Sequence, residues 1–175
     1  MKERVVCRKA EKSDLLNIME IIEDAREFMR KFDMDQWQNG YPNEEVFRQD
    51  IALGECYLAI CDDEMAGVMV VTTTPEKCYE EIVGQGWLTD KQAYMTIHRM
   101  AVSGKYRGTK VAEQMISFAE KICVGQNRTS LRVDTHKKNF AMQRFLEKQG
   151  FSYCGVVDYK DTAGDTLRVA YEKVN

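Results

Sequence analysis

The sequence predicts an α+β, or mixed α/β, layer fold built as one domain over residues 1–175. Helix-period stripes and short β-branched runs follow the order β-α-α-β-β-β-α-β-α-β-β, which is not a regular βαβ array. A chain of 175 residues sustains one sizeable core, burying about 70% of its unfolded surface. No repeat, low-complexity tract or linker divides it.

Residues 4–10 (RVVCRKA) read as a strand. A helix follows, because Leu15, Ile18, Ile22, Ala25, Met29 and Phe32 recur at three- and four-residue steps, with Ser13 placed as its N-cap. Asn39-Gly40 and Pro42 make 34–42 a loop. Residues 43–53 form a shorter helix with Val46, Phe47, Ile51 and Leu53 inward. Strands 56–61 and 65–73 are close enough for a hairpin. The polar stretch 75–93 is long for a connection in a compact fold, so it has a task or is mobile. Strand 93–102 leads through Ser-Gly-Lys-Tyr-Arg-Gly into a helix that turns Val111, Met115, Phe118 and Ile122 inward. A strand at 130–135 precedes a helix over 139–149 that buries Met142, Phe145 and Leu146 and ends at Gly150. Strands 151–159 and 166–174, joined by Asp-Thr-Ala-Gly-Asp, close the chain.

Composition excludes several classes. Lys plus Arg is 25 against 28 for Asp plus Glu, a net charge of -3. That leaves no basic excess for generic nucleic-acid binding. No apolar run approaches the roughly 20 residues of a membrane span, and the N-terminal segment has no apolar signal stretch. The expectation is a cytoplasmic protein with no membrane partner. Six cysteines at 7, 56, 61, 78, 123 and 154 lack C-x-x-C spacing, and there are two histidines, so no metal is expected. Scattered thiols also suit a reducing compartment.

The segment Met100-Ala-Val-Ser-Gly-Lys-Tyr-Arg-Gly-Thr-Lys-Val-Ala112 carries the chemistry. A strand enters a glycine-containing loop that opens a helix, where free amides attract phosphate. Lys105, Arg107 and Lys110 add positive charge, and Gly108 and Ala112 are small enough for close approach. The same spacing also fits an ordinary connection with a solvated basic tip. Walker and dinucleotide fingerprints are absent.

Over nearly its whole length the chain resembles the GNAT superfamily of acyl-CoA N-acyltransferases. Arg107 and Ala112 fall on the first and last positions of that family's loop, [RQ]-x-x-G-x-[GA], with Lys110 where glycine is usual. Asn139, Gly150 and Phe151 match a second signature, and His98-Arg-Met-Ala-Val102 resembles the fourth strand. The resemblance implies a mostly antiparallel sheet of about seven strands, with its fourth and fifth strands splayed and helices on both faces. It implies acetyl-CoA as donor and a small-molecule or peptide amine as acceptor. The amides of Arg107, Gly108, Thr109, Lys110, Val111 and Ala112 would hold the pyrophosphate. The backbone of Met100 and Val102 would pair with the pantetheine arm, an amide at Ala101 or Met100 would face the thioester oxygen, and Asn139 would bond the arm or the loop.

Many relatives place a glutamate four residues before the strand's final valine. His98 stands there and is the candidate base; it reads equally as a structural histidine in a half-buried strand. His136 reads as a loop residue. The usual tyrosine acid is replaced by Leu146, with Tyr106 and Tyr153 as substitutes. No cysteine has a nucleophile's neighbours, which favours direct transfer over an acyl-cysteine. Asp33, Asp35, Trp37 and Tyr41 either wall an amine pocket or, for the aromatics, plug the core; Glu76, Glu80, Glu81 and Trp87 lie on a lid or a solvated surface. Lys110 and Leu146 leave open a non-catalytic acetyl-CoA-sensing module of the same fold. The resemblance also makes a homodimer possible.

Overall fold

The computed structural model describes residues 4–90, 94–160, 162 and 164–175. Ala93, the predicted first residue of the fourth strand, and two residues of the predicted last turn fall outside that set. The elements are β1 (Val5–Lys9), α1 (Leu15–Lys31), α2 (Glu44–Ala52), β2 (Cys56–Cys61), β3 (Glu64–Thr72), β4 (Tyr94–Val102), α3 (Val111–Gly125), β5 (Ser130–His136), α4 (Phe140–Lys148), β6 (Ser152–Asp158) and β7 (Leu167–Val174). They form a seven-stranded sheet in the order β1-β2-β3-β4-β5-β7-β6. Every neighbouring pair is antiparallel except β4 and β5.

Strand alternation divides the apolar residues between two faces. Leu58, Val68 and Val70 meet Ile18, Ile22 and Phe47 of α1 and α2. Ala59, Met69 and Val71, the next residues along, meet Val111, Met115, Ile116 and Ala119 of α3 and Leu146 of α4. The helices thus cover both faces, as expected. The hairpin between β2 and β3 turns on Asp62 and Asp63, at φ 49° and 66°. Aspartate tolerates this left-handed conformation better than most residues.

Some local expectations are corrected. Ser13 is not the cap of α1; it lies in a 3-10 turn, Lys12–Asp14, that precedes the helix. There Asp14 accepts the Glu11 amide at 2.7 Å and is held by both arms of Arg8, a charged pairing that a serine hydroxyl cannot offer. Phe32 and Leu53 are exposed, because each follows the last helical turn and leaves the buried stripe. Gly150 ends α4 at φ 86°, as predicted.

The long connection after β3 is an anchored wall over β5, β6 and β7. Tyr79 donates to Asp134 at 2.6 Å, Val83 bridges Val156, and the Leu88 amide donates to Glu172 at 2.5 Å. Gly155 permits the bridge: a Cβ there would stand 2.4 Å from the Val83 carbonyl oxygen. Beneath it, fully buried Arg132 donates from Nε to Glu172 at 3.0 Å and lies against the rings of Trp87 and Tyr94. A buried pair needs its remaining donors satisfied, and the Thr89 carbonyl accepts one at 2.8 Å.

Candidate active site

β4 builds the site. It pairs with β5 only at Tyr94–Ser130, Met95–Leu131 and Thr96–Arg132, and past Thr96 the two strands part. On its other edge Val68 faces Ala101 while Val70 faces His98, so β4 has one extra residue, a bulge. Arg99 in that bulge has φ 50°, a conformation a non-glycine residue keeps only when its surroundings hold it. Its Nε and Nη2 donate to the two Asp50 oxygens at 2.9 and 2.7 Å, and Nη1 donates to the Tyr41 hydroxyl at 2.7 Å. Burial raises the Asp50 pKa, and the Arg99 charge opposes that shift.

The parted strands open onto a cleft of about 690 Å³. Ile97 and Val133 line it from the α3–α4 face of the sheet. His98 and Asp134, each one residue further on, line it from the opposite face. The cleft therefore runs through the gap in the sheet.

One wall is the turn into α3. Gly108 has φ 79°, and no atom lies within 4 Å of where its Cβ would be. The amides of Gly108, Lys110, Ala112 and Glu113 have no hydrogen-bond partner among the described residues. Unpaired amides at a helix start attract an anion. The side chains near them are mostly committed. Arg107 pairs with Asp24 at 2.7 Å, and Lys105 pairs with Glu64. Lys110 is exposed.

Of the residues expected to hold coenzyme, Met100, Ala101, Val102, Arg107, Gly108, Thr109, Ala112 and Asn139 line the cleft. The Val111 side chain is instead fully buried in the core, and its amide faces Thr109 Oγ1 at 3.3 Å. Asn139 is the N-cap of α4; its Oδ1 accepts the Met142 amide at 3.1 Å.

His98 Nε2 stands 3.6 Å from Glu76 Oε2. Burial, aided by the Arg99 charge, pushes the His98 pKa down to about 3. Burial and the neighbouring Asp134 push Glu76 up. Asp134 Oδ2 accepts from the hydroxyls of Tyr79 and Tyr159 at 2.6 and 2.8 Å. Burial raises the Asp134 pKa against the pull of those two bonds. His136 is fully buried beside the cleft rather than in an open loop, with Nε2 at 3.1 Å from Asp35 Oδ1.

Of the two substitute acids, Tyr106 lines the cleft and Tyr153 does not. The Tyr106 hydroxyl is bound to Glu64 at 2.9 Å, and Tyr153 is exposed against Tyr171. Trp37 does both jobs weighed for it, packing on the α1–α2 core and lining the cleft. Tyr159 and Asp134 were not singled out from sequence. Asp134 carries a signal, as the lone acid of the strand Ser-Leu-Arg-Val-Asp-Thr; Tyr159, at a strand end, carries none.

All six cysteines are free, and burial raises Cys78, next to Glu76 in space, to about 12. Among the described residues no group of three or more His, Cys, Asp or Glu is placed to hold a metal ion, and no helix is long and apolar enough to cross a membrane.

Comparison with known proteins agrees with this geometry. Residues 19–151 match the model of the Acetyltransferase (GNAT) family. A crystal structure of a GNAT-family acetyltransferase from Streptococcus agalactiae 2603 is 35% identical, with a TM-score of 0.85 over 98% of this chain and 95% of that one. One from Listeria monocytogenes 4b F2365 is 25% identical, with a TM-score of 0.71 over 98% and 95% of the two chains. An uncharacterized N-acetyltransferase, YesJ of Bacillus subtilis (strain 168), is 20% identical over 144 residues, 81% of this chain and 78% of that protein. The matched span, the parted strands and the shared fold place this chain in the GNAT family of acyl-CoA-dependent N-acetyltransferases.

Proposed function

We propose that the protein transfers an acetyl group from acetyl-CoA to a primary amine by direct attack, with both substrates bound at once. The observation that carries this is the coincidence, in one cleft, of unpaired amides at the start of α3 and the His98–Glu76 pair beside the parted strands.

The amides of Gly108, Lys110 and Ala112 hold the donor's diphosphate. The edge of β4 at Met100, Ala101 and Val102, free of β5, pairs with the pantetheine arm as an added strand does. Asn139 spends its carbonyl on the α4 cap and retains its side-chain amide for that arm. The donor itself supplies a thioester carbonyl that an amine can attack.

The acceptor must first lose a proton, since a free alkylamine with a pKa of about 10.4 is almost wholly charged at neutral pH. His98 alone is a poor base, because burial disfavours its cation. With Glu76 beside it, the pair carries one negative charge and becomes neutral on taking the proton. Glu76, its pKa raised by burial, holds that proton, and His98 stays a neutral imidazole beside it. The amine nitrogen then bonds the acetyl carbon, the carbon–sulfur bond breaks, the thiolate leaves, and the nitrogen's second proton passes to it. With a pKa of roughly 8.5, taking cysteine as the guide, that thiolate needs little help from an acid. Leu146 is core and contributes none.

The test is release of free thiol from acetyl-CoA in a panel of primary amines, beside a melting-temperature shift with acetyl-CoA. Stabilisation with amine-dependent thiol release is the expected result. Stabilisation without release from any amine would favour a non-catalytic sensor.

A further inference from the structure

Three arginines line the cleft: Arg99, Arg107 and Arg168. Arg99 is neutralised by Asp50 and Arg107 by Asp24. Arg168, on β7, has no carboxylate within ion-pair distance among the described residues. Its Nη1 donates to the main-chain carbonyls of Asp165 and Leu167 at 2.5 and 2.9 Å, and no acceptor is found for Nε or Nη2.

The nearby acids are committed elsewhere; Asp134, whose carboxylate the Arg168 charge favours, spends Oδ2 on the Tyr79 and Tyr159 hydroxyls. Asp35 Oδ2 accepts the Asp165 amide at 2.7 Å, and its Oδ1 faces His136 Nε2 at 3.1 Å. Asp165 Oδ2 is 2.9 Å from Lys137 Nζ, and its Oδ1 accepts the Leu167 amide at 3.2 Å. Two main-chain carbonyls therefore hold the guanidinium from one side and leave its other donors unused. That fork matches a carboxylate, which it can bind through two parallel hydrogen bonds.

The cleft, mainly apolar along its length, thus carries opposite charge near its two ends. Glu76 and His98 form the pole beside the parted strands, and Arg168 forms the opposite one. Its place is given by register: His136 lies across from Arg168, and Asp134 across from Ala170. His98 lies two residues past the last β4–β5 rung and Asp134 two residues past its partner, so these two flank the gap. Arg168 is one strand further over and two residues along, on the order of 10 Å away by strand spacing and rise.

We propose that Arg168 is the acceptor's carboxylate site, so that the preferred acceptor is an amine that also carries a carboxylate several bonds away. This rests on the transferase reading above. The amine end meets the Glu76–His98 pair, and the carboxylate end meets the open edge of the guanidinium.

The test compares acceptors that differ only in that charge. Glycine, β-alanine, γ-aminobutyrate, 5-aminovalerate and glycylglycine are each assayed beside the corresponding carboxamide, by thiol release from acetyl-CoA. For the wild type kcat/KM favours at least one of these acids over its amide by about 10- to 100-fold, because a charged hydrogen-bonded partner is lost in the amide. In Arg168→Gln that ratio falls toward one, and in Arg168→Lys part of it survives. The ratio is taken within each variant, so a loss of folded protein cancels. A wild-type ratio near one for every pair overturns the proposal, as does a ratio unchanged in Arg168→Gln. Thiol release with plain alkylamines but none with these acids also overturns it, while leaving the transferase reading intact. If no amine of either kind gives thiol release, both readings fall.

Discussion

Glu76 and His98 meet at 3.6 Å although they come from different elements, the connection after β3 and the strand β4. The contact exists because the connection is pinned over the sheet by Tyr79, Val83 and Leu88. Glu76 faces β4 from one side, while Arg99, Asp134 and Cys78 surround the pair. Glu76→Gln is expected to lower kcat by about 10²-fold or more, the usual size of lost general-base help. In the wild type kcat/KM is expected to rise with pH as Glu76 ionises, at a pKa above the ordinary carboxylate value. That acid limb is expected to disappear in the variant. A Glu76→Gln profile that overlays the wild type removes Glu76 from the base.

His98 bears on stability as well as rate. Its folded pKa of about 3 lies below the unfolded value of 6.5, so the unfolded chain binds a proton that the folded chain rejects. Stability from this source is complete above the unfolded value and is lost as pH falls from there toward the folded one. By linkage the loss reaches up to about 3 kcal/mol at pH 4. Melting temperatures across that range are expected to fall less steeply in His98→Gln than in the wild type. Parallel curves contradict the shift.

Asp50→Ala leaves the Arg99 guanidinium half-buried without its carboxylate. Breaking such a pair costs about 3 kcal/mol or more, equivalent to a melting temperature lower by roughly 6–12 °C for a chain of this size. Differential scanning calorimetry reads it. A change within a degree or two means that Tyr41 and solvent suffice to hold the bulge.

Ala112→Glu sets a carboxylate against the unpaired amides at the start of α3. The variant is expected to fold, since Ala112 is not part of the buried core. It is expected to lose the melting shift given by acetyl-CoA. Retained stabilisation places the diphosphate elsewhere.

Much of this was legible in the chain. The stripes of α1 and α3 and the alternating strands place each element within a residue or two, because burial on one helix stripe or two sheet faces leaves a clear period. The turn into α3 was legible too, since Gly108 and its neighbours are local in sequence. The bulge was not. Arg99 reads as one more strand residue until Asp50, 49 positions away, is seen to hold it. Glu76 reads as one acid among several, and only the anchoring of its connection brings it to His98. Arg168 reads as a strand residue, and its unused donors depend on where three aspartates point. Such features come from long-range packing, to which local periodicity is blind.

The most direct measurement is a crystal structure with coenzyme A bound. The expected result places the diphosphate within hydrogen-bond distance of the Gly108, Lys110 and Ala112 amides, and the thiol in the gap past Thr96, beside His98 and Glu76. A coenzyme bound elsewhere, with the gap between β4 and β5 filled by side chains, contradicts the account.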